Sequence, residues 1–385
     1  MTEFRDQQQN MNDSRFVKVD LSRMDEVYSQ KGTVHWMVLL LGSVAMLAGF
    51  PASRILSRLY YQDGGQSIWL LAWTAVAGWP ITVVALLPFY MKRAMAPTQL
   101  TISLMVAYAI LGFSSALDNL LFAWAYLYLP ASTASLISAS ALPFTAIFAY
   151  FILGKKISAP TFNAIGVITA ASAVLAIDSD ADRPPGVSNS EYALGFILDV
   201  AASALHGLIF VLSERIFIKY VGRESVHVIL EQQAIVSLIG FAFTTIGVIA
   251  SADFSKMVSE AEVFSQGSVS YYMVLVWSAI TIQVGLLGSV AVMYSASAVL
   301  AGVLNSVVVP VTTIAAVLSL QDPIDGFKIL SLILTGWGFG SYIYGGYSRS
   351  QSSESVALSE PLIQETNIHL FPDARGSQYV SQTSS

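Results

Sequence analysis

The chain has 385 residues, of which 55% are hydrophobic and only 11% are charged, with a formal net charge of -6. Soluble domains carry roughly 25% charged residues, so a chain of this length and composition cannot cover its own surface in water, and lipid must surround much of it. The absence of cysteine excludes disulfides, thiolate metal sites and cysteine nucleophiles. No basic face suggests a nucleic-acid partner.

Ten hydrophobic stretches follow one another along the chain, each close to the length of about 20 residues that a membrane-crossing helix needs. Their apolar residues run continuously rather than in alternation, which favours helices over barrel strands. The composition therefore predicts an all-α membrane protein with ten transmembrane helices. The stretches are 35–59, 67–90, 100–127, 131–152, 159–178, 192–219, 228–251, 269–294, 297–320 and 325–347.

The charges in the connections alternate in sign along the chain. Lysine and arginine concentrate in every second connection, as in Lys92-Arg93 and Lys155-Lys156, whereas acidic residues such as Asp253 and Glu260 occupy the others. The positive-inside rule then places both termini in the cytosol. We expect a multi-pass protein of the plasma membrane with both tails cytosolic.

An internal repeat relates the fourth stretch to the ninth. Pro143 and Thr145 recur in the same order and spacing as Pro310 and Thr312. The two stretches are five helices apart, so the halves would have opposite topology, which is typical of secondary transporters with a site between their repeats. The predicted organisation is a cytosolic tail (1–34), a first five-helix repeat (35–178), an extracytosolic loop (179–191), a second, inverted five-helix repeat (192–347) and a disordered cytosolic tail (348–385).

Ionisable side chains inside the third stretch are the first candidates for a binding site, because such groups are costly in lipid. Asp118 and Asn119 are followed by Trp124 within two helical turns. A carboxylate beside aromatic rings suits a planar nitrogenous solute, with hydrogen bonds for its edge and stacking for its face. The alternative is that Asp118 serves only as a structural partner for a neighbouring helix.

A second candidate group, Glu231-Gln232-Gln233, opens the seventh stretch from the cytosolic side. Glu231 and Gln232 can point inward together, and a carboxyl in an apolar cavity is suited to carry a proton. Snorkelling to the interface is the competing interpretation. Asn305 in the ninth stretch is a further polar candidate, and His206 in the sixth is either a proton relay or a packing residue.

Enzymatic function is not predicted. Only one histidine lies deep in a span, and no phosphate-cradling Gly-Lys-Ser/Thr loop occurs in the chain. We therefore expect no catalytic residues, no metal site and no cofactor.

Several motifs together resemble the plant purine permease family, within the drug/metabolite transporter superfamily. The resemblance implies proton-coupled uptake of adenine-like bases, cytokinins and related heterocyclic amines or alkaloids. The chain departs from the family pattern at Asp118-Asn119, where many members have Asn-Asn, and at Val211-Leu212-Ser213-Glu214-Arg215, where Pro and Gln are expected. The motifs are Ser57–Tyr61 with Gly64-Gly65, Leu117–Tyr126, Tyr128–Thr133, Phe144-Thr145-Ala146, Leu304–Thr312 and Gly336–Tyr342.

The resulting hypothesis is a proton-driven importer of purine-type solutes that works by alternating access. Asn119, Asp118, Trp124, Glu231, Gln232 and Asn305 are the predicted substrate-binding residues, and Glu231 and Asp118 are the predicted proton-coupling groups. One alternative is another substrate, such as an alkaloid or a vitamin, on the same fold. A channel or a membrane sensor is an alternative of a different class.

Overall fold

A computed structural model of the protein describes residues 33–91, 97–154, 157, 159–177, 183–216, 219, 226–295 and 298–345. Within these residues the fold is entirely helical, and helices occupy all ten predicted stretches. The helices are α1 (Thr33–Gln62), α2 (Ile68–Ala77), α3 (Trp79–Met91), α4 (Ile102–Tyr128), α5 (Ala131–Ser138), α6 (Ala141–Leu153), α7 (Ala159–Ile177), α8 (Asn189–Ile216), α9 (Val226–Ala250), α10 (Asp253–Val263), α11 (Ser268–Ser295), α12 (Ala298–Leu320) and α13 (326–345).

Seven of the helical segments in the described part of the chain are long and apolar enough to cross a membrane. Their outer surfaces carry large apolar side chains that water would not tolerate in such numbers, such as Leu40 (65% exposed) and Leu318 (78% exposed). The protein is thus a multi-pass membrane protein. The two predicted tails, 1–34 and 348–385, lie almost entirely outside the described residues, as does part of the predicted loop 179–191.

Two of the predicted spans are each divided into two helices. Gly78 separates α2 from α3, and a turn at Ala139 and Ser140 separates α5 from α6. Pro143 has no N–H to offer the carbonyl of Ala139, so the second interruption has a direct cause in the sequence. Its counterpart Pro310 lies inside the continuous helix α12, so the matched prolines do not interrupt their helices equally.

Close backbone contact joins α1 to α11, which form the most extensive helix pair of the fold. Gly49 lies so near α11 that a Cβ atom there would come within 2.6 Å of the Gly285 nitrogen and the Thr281 carbonyl oxygen. A Cβ on Gly288 would likewise come within 2.6 Å of the Gly42 carbonyl oxygen. In lipid, small residues of this kind let helices associate through van der Waals packing.

The other main interfaces link the two predicted halves. The second most extensive pair is α4 with α8, and α8 also packs on α6, while α12 packs on α1 and α5. Gly207 of α8 approaches the backbone nitrogen of Thr145 on α6, where an added Cβ would lie 2.8 Å away. Helices of the first predicted half therefore pack directly on helices of the second, and α4 packs on α8.

Buried acidic residues tie together the end of the bundle where α1 ends and α2 begins. Glu260 of the short helix α10 accepts hydrogen bonds from the hydroxyls of Tyr60 (2.8 Å) and Tyr271 (2.9 Å). Asp253 accepts from Ser67, the N-cap of α2, and from Lys256. Burial tends to raise the pKa of Asp253, but these hydrogen bonds outweigh it and hold the pKa below its ordinary value. The carboxylate therefore stays charged and keeps α10 anchored.

The contact between α1 and α11 leads to a stability prediction. Gly49→Ala places a methyl group against backbone that cannot turn aside, and overpacking of this kind lowers stability by about 1–3 kcal/mol. Gly166→Ala in α7 is the matched control, because nothing lies within 4 Å of its added Cβ. Thermal unfolding of both purified variants in one detergent should show a lower midpoint for Gly49→Ala alone. Equal midpoints would contradict the close packing.

Candidate functional site

A carboxylate and an imidazole meet between α4 and α8. The Nδ1 atom of His206 lies 2.9 Å from Oδ2 of Asp118. A contact this short between a ring nitrogen and a carboxylate oxygen requires a proton between them, on one atom or the other. Asp118 is 5% exposed, whereas 39% of the His206 side chain is accessible. The pair therefore joins a buried carboxyl group to an imidazole that is partly exposed.

Aromatic rings border the imidazole on two sides. Phe210 lies one helical turn after His206, with ring centroids 4.9 Å apart, and Phe122 lies one turn after Asp118, with its centroid 6.1 Å from that of His206. Both contacts are edge-on, at 88° and 77°, as favoured by the quadrupoles of aromatic rings. A planar solute entering here would meet ring faces and hydrogen-bonding atoms together.

Arg54 supplies positive charge on the α1 side of this region. Its Nη1 atom donates to the Ser138 hydroxyl (3.2 Å), and the guanidinium interacts electrostatically with Asp118 and with Asp199 of α8. Asp199 is completely buried. Neither Arg54 nor Asp199 is among the site residues predicted from the sequence. The available signal was an arginine placed five residues inside the predicted end of the first stretch.

Three other predicted residues have different surroundings. The Asn119 amide donates to the carbonyl oxygen of Ser115 one turn earlier (2.8 Å) and is half-buried. Trp124 is 36% exposed, and Asn305 of α12 is exposed. Trp124 comes six residues after Asp118, which puts the two on different faces of α4. The rings that do adjoin the Asp118–His206 pair are Phe122 and Phe210.

Glu231 belongs to a second polar site near the start of α9. Its carboxylate accepts hydrogen bonds from the Tyr90 hydroxyl and from the backbone N–H of Thr98 (3.2 Å). It lines a mainly apolar pocket of about 220 Å³ together with Leu86, Tyr90, Pro97, Thr98, Leu100, Ala234 and Ile235. Gln232 is as buried as Glu231, at 7% exposed. The expectation that both side chains leave the lipid surface is confirmed by this burial.

The two sites lie at different levels of the bundle. Gly112 of α4 packs against Ile239 of α9, with an added Cβ only 2.6 Å from that side chain. Glu231 comes eight residues before this contact and Asp118 six residues after it. The two helices run in the same direction, so these offsets add. At 1.5 Å per residue, Glu231 and Asp118 are about 20 Å apart along the bundle. A single purine base cannot touch both carboxylates in this conformation.

Comparison with known proteins points to one family. The profile of the family described as purine nucleobase transmembrane transport matches residues 37–352. Probable purine permease 5 of Arabidopsis thaliana is 53% identical over 334 residues, which cover 87% of this chain and 92% of that protein. Probable purine permease 11 is 35% identical, covering 80% of this chain and 82% of the relative, and purine permease 3 is 32% identical, covering 84% and 98%; both are from the same plant.

The Asp118–His206 contact predicts strong energetic coupling between the two residues. Asp118→Ala and His206→Ala should each lower stability, because each leaves a polar partner unpaired in the bundle. The double variant should lose about 1–3 kcal/mol less than the sum of the single losses. Thermal unfolding of the four proteins in detergent measures this difference. Additive losses would mean that the contact contributes nothing.

Proposed function

The chain belongs to the purine permease family of membrane transporters, not to a family of enzymes, and we propose that it imports adenine, related bases and cytokinins in symport with protons. The observation that carries this proposal is the Asp118–His206 pair between α4 and α8, with aromatic rings beside it. Such a pair offers hydrogen-bond acceptors and donors to one edge of a flat heterocycle.

The chemistry of purines fits this site. The exocyclic amine and ring N–H groups of a purine are donors that a carboxylate such as Asp118 accepts, whereas the ring nitrogens accept from an amide such as Asn119 or from an imidazolium. Phe122 and Phe210 provide apolar surface for the ring faces. Trp124 and Asn305 are proposed to reach the solute only in other conformations of the cycle, since Trp124 lies on a different face of α4 from Asp118 and Asn305 of α12 is exposed.

The proposed architecture is two inverted five-helix repeats, 35–178 and 192–347, that alternate access to a site between them. The pattern of helix contacts supports it. In the proposed repeat, α1 corresponds to α8 and α4 corresponds to α11. The α1–α11 pair is therefore equivalent to the α8–α4 pair, and these are the two most extensive interfaces. The same correspondence makes α6–α8 equivalent to α12–α1. Two halves with equivalent contacts are what a rocking mechanism requires.

The proposed orientation places both tails in the cytosol and the protein in the plasma membrane. Glu231 would then lie near the cytosolic end and the Asp118–His206 pair deeper in the membrane. Glu231 is proposed as the proton-coupling group on the release side, together with Gln232 as a solute contact, and Asp118 as the proton-coupling group of the central site. Because the two carboxylates lie at different depths, we propose that the solute and the proton meet the Asp118 site and the Glu231 site in turn.

Uptake by cells that lack their own purine transport tests the substrate and the coupling. Labelled adenine or trans-zeatin should accumulate above the external concentration when the medium is acidic, and a protonophore should abolish the accumulation. Excess unlabelled purines should compete, whereas a panel of alkaloids and vitamins identifies any better substrate. Uptake that ignores the proton gradient would exclude symport, and the absence of counterflow would favour a channel or a sensor.

Glu231→Gln tests the proton-coupling role of the second site. The amide oxygen of glutamine can still accept from Tyr90 and Thr98, so the local fold should persist while titration is lost. We expect accumulation against a gradient to fall about tenfold, the scale of a group specifically required for coupling. Glu262→Gln on α10 is the control, since Glu262 is exposed. Unchanged accumulation in Glu231→Gln would remove this residue from the mechanism.

A further inference from the structure

Asp199 of α8 is buried and its carboxylate accepts no hydrogen bond from the described residues. It has no exposed surface, and the lack of a partner applies to both carboxylate oxygens. An ionised carboxylate in such surroundings is strongly disfavoured, and the usual outcome is that the group takes up a proton. Membrane proteins rarely retain such a residue without a use for it.

Asp199 is the outermost member of a row of polar groups on one face of α8. Ser203 follows it by four residues and His206 by seven, which are the spacings of residues on the same helical face. The Ser203 hydroxyl and Oδ1 of Asp118 are also buried and without described partners. The row runs about 10 Å along the helix axis from Asp199 to the Asp118–His206 pair.

The charges around this row do not balance. The groups within electrostatic range of Asp199 are Arg54 of α1 and Asp118 and Tyr126 of α4. The neighbouring polar residues Ser138 of α5 and Thr145 of α6 do not ionise in this range, and Tyr128 lies against Gly195 at the end of α4. When His206 is neutral, the two carboxylates and one guanidinium leave one negative charge, so the group becomes neutral when it binds one proton.

We propose that Asp199 is the outer proton-binding site of the transporter, with Ser203 between it and the Asp118–His206 pair on the same face of α8 and with Arg54 as its counter-charge. A proton from water on the outer side binds a carboxylate oxygen of Asp199. Since Asp199 and Ser203 are not hydrogen-bonded to each other or to the Asp118–His206 pair in this structure, the proton reaches the pair when water enters the row in another conformation of the cycle. It leaves on the cytosolic side after the solute is released, with no covalent change in the solute. The proposal rests on the proton symport proposed above and adds the residue at which the proton enters.

Asp199→Asn tests this role because asparagine has nearly the same size and cannot take part in the titration. In this variant, acid-driven accumulation of labelled adenine should fall about tenfold and its dependence on external pH should flatten. Counterflow at equal pH on both sides should stay within about twofold of the wild type, since the solute contacts remain. Glu191→Gln in the first turn of α8 is the matched control, because glutamine preserves the capping box with Ser188.

The outcomes separate this proposal from the proposed function. A wild-type protein without pH-dependent uptake refutes the symport itself. If the wild type shows pH-dependent uptake while the Asp199→Asn variant keeps normal accumulation and pH dependence, that result overturns the role of Asp199 alone. A folded variant that also loses counterflow overturns it as well, because Asp199 would then serve solute binding or structure.

A second measurement covers the case in which Asp199→Asn fails to fold. Hydrophobic carbodiimides modify protonated carboxyl groups inside membrane proteins, and peptide mass spectrometry locates the adduct. In the wild-type protein, modification of Asp199 should increase as the pH falls and should be absent from Asp253, whose carboxylate is held charged by Ser67 and Lys256. No modification of Asp199 at any pH would overturn the proposal.

Discussion

The structure depends on one constraint: inside a bilayer, a polar group has no water to bond and must find its partner within the protein. This constraint makes helices of all the crossing segments, and it also governs the side chains. Asp118 pairs with His206, Glu231 accepts from Tyr90 and Thr98, and Glu260 accepts from two tyrosines. Asp199 is the exception among the buried carboxylates of the described residues, since neither of its oxygens has a described partner.

The packing of the helices determines where these partners meet. Glycine contacts bring α1 against α11 and α8 against α6 at backbone distance, and these close contacts leave α4 facing α8. The polar residues of one predicted half therefore face those of the other half, as Asp118 faces His206. In the proposed alternating-access mechanism, a displacement of the halves would break this contact and expose both groups, so a proton on the pair would shift the equilibrium between the two arrangements.

Much of this arrangement could be predicted from the sequence, because hydrophobic length and composition are local properties. The helical structure of the ten stretches, the burial of Glu231 and Gln232 and the family were predicted correctly. Ten membrane crossings stay a prediction, because seven segments of the described residues are long and apolar enough to cross. Side-chain contacts between different helices were not predicted, because they depend on how segments distant in the sequence are aligned along the bundle. Arg54, Tyr90 and the link from His206 to Asp118 belong to this group. The sequence likewise could not reveal that Glu231 and Asp118, each a reasonable proton carrier alone, lie about 20 Å apart along the bundle.

That separation bears on how coupling would work. Electrostatic interaction between charges falls with distance and is weakened further by any water in the path, so a proton on Glu231 has little direct effect on a solute held at Asp118. Each carboxylate must instead act on the solute or on the helices at its own level. The central pair, with Arg54 and Asp199, is therefore suited to sense the solute and the incoming proton together, while Glu231, linked to α3 and to the segment before α4, is suited to sense opening at the other end. In the proposed symport, coupling between the two levels would pass through movement of α4 and α9, which pack on each other between the two carboxylates.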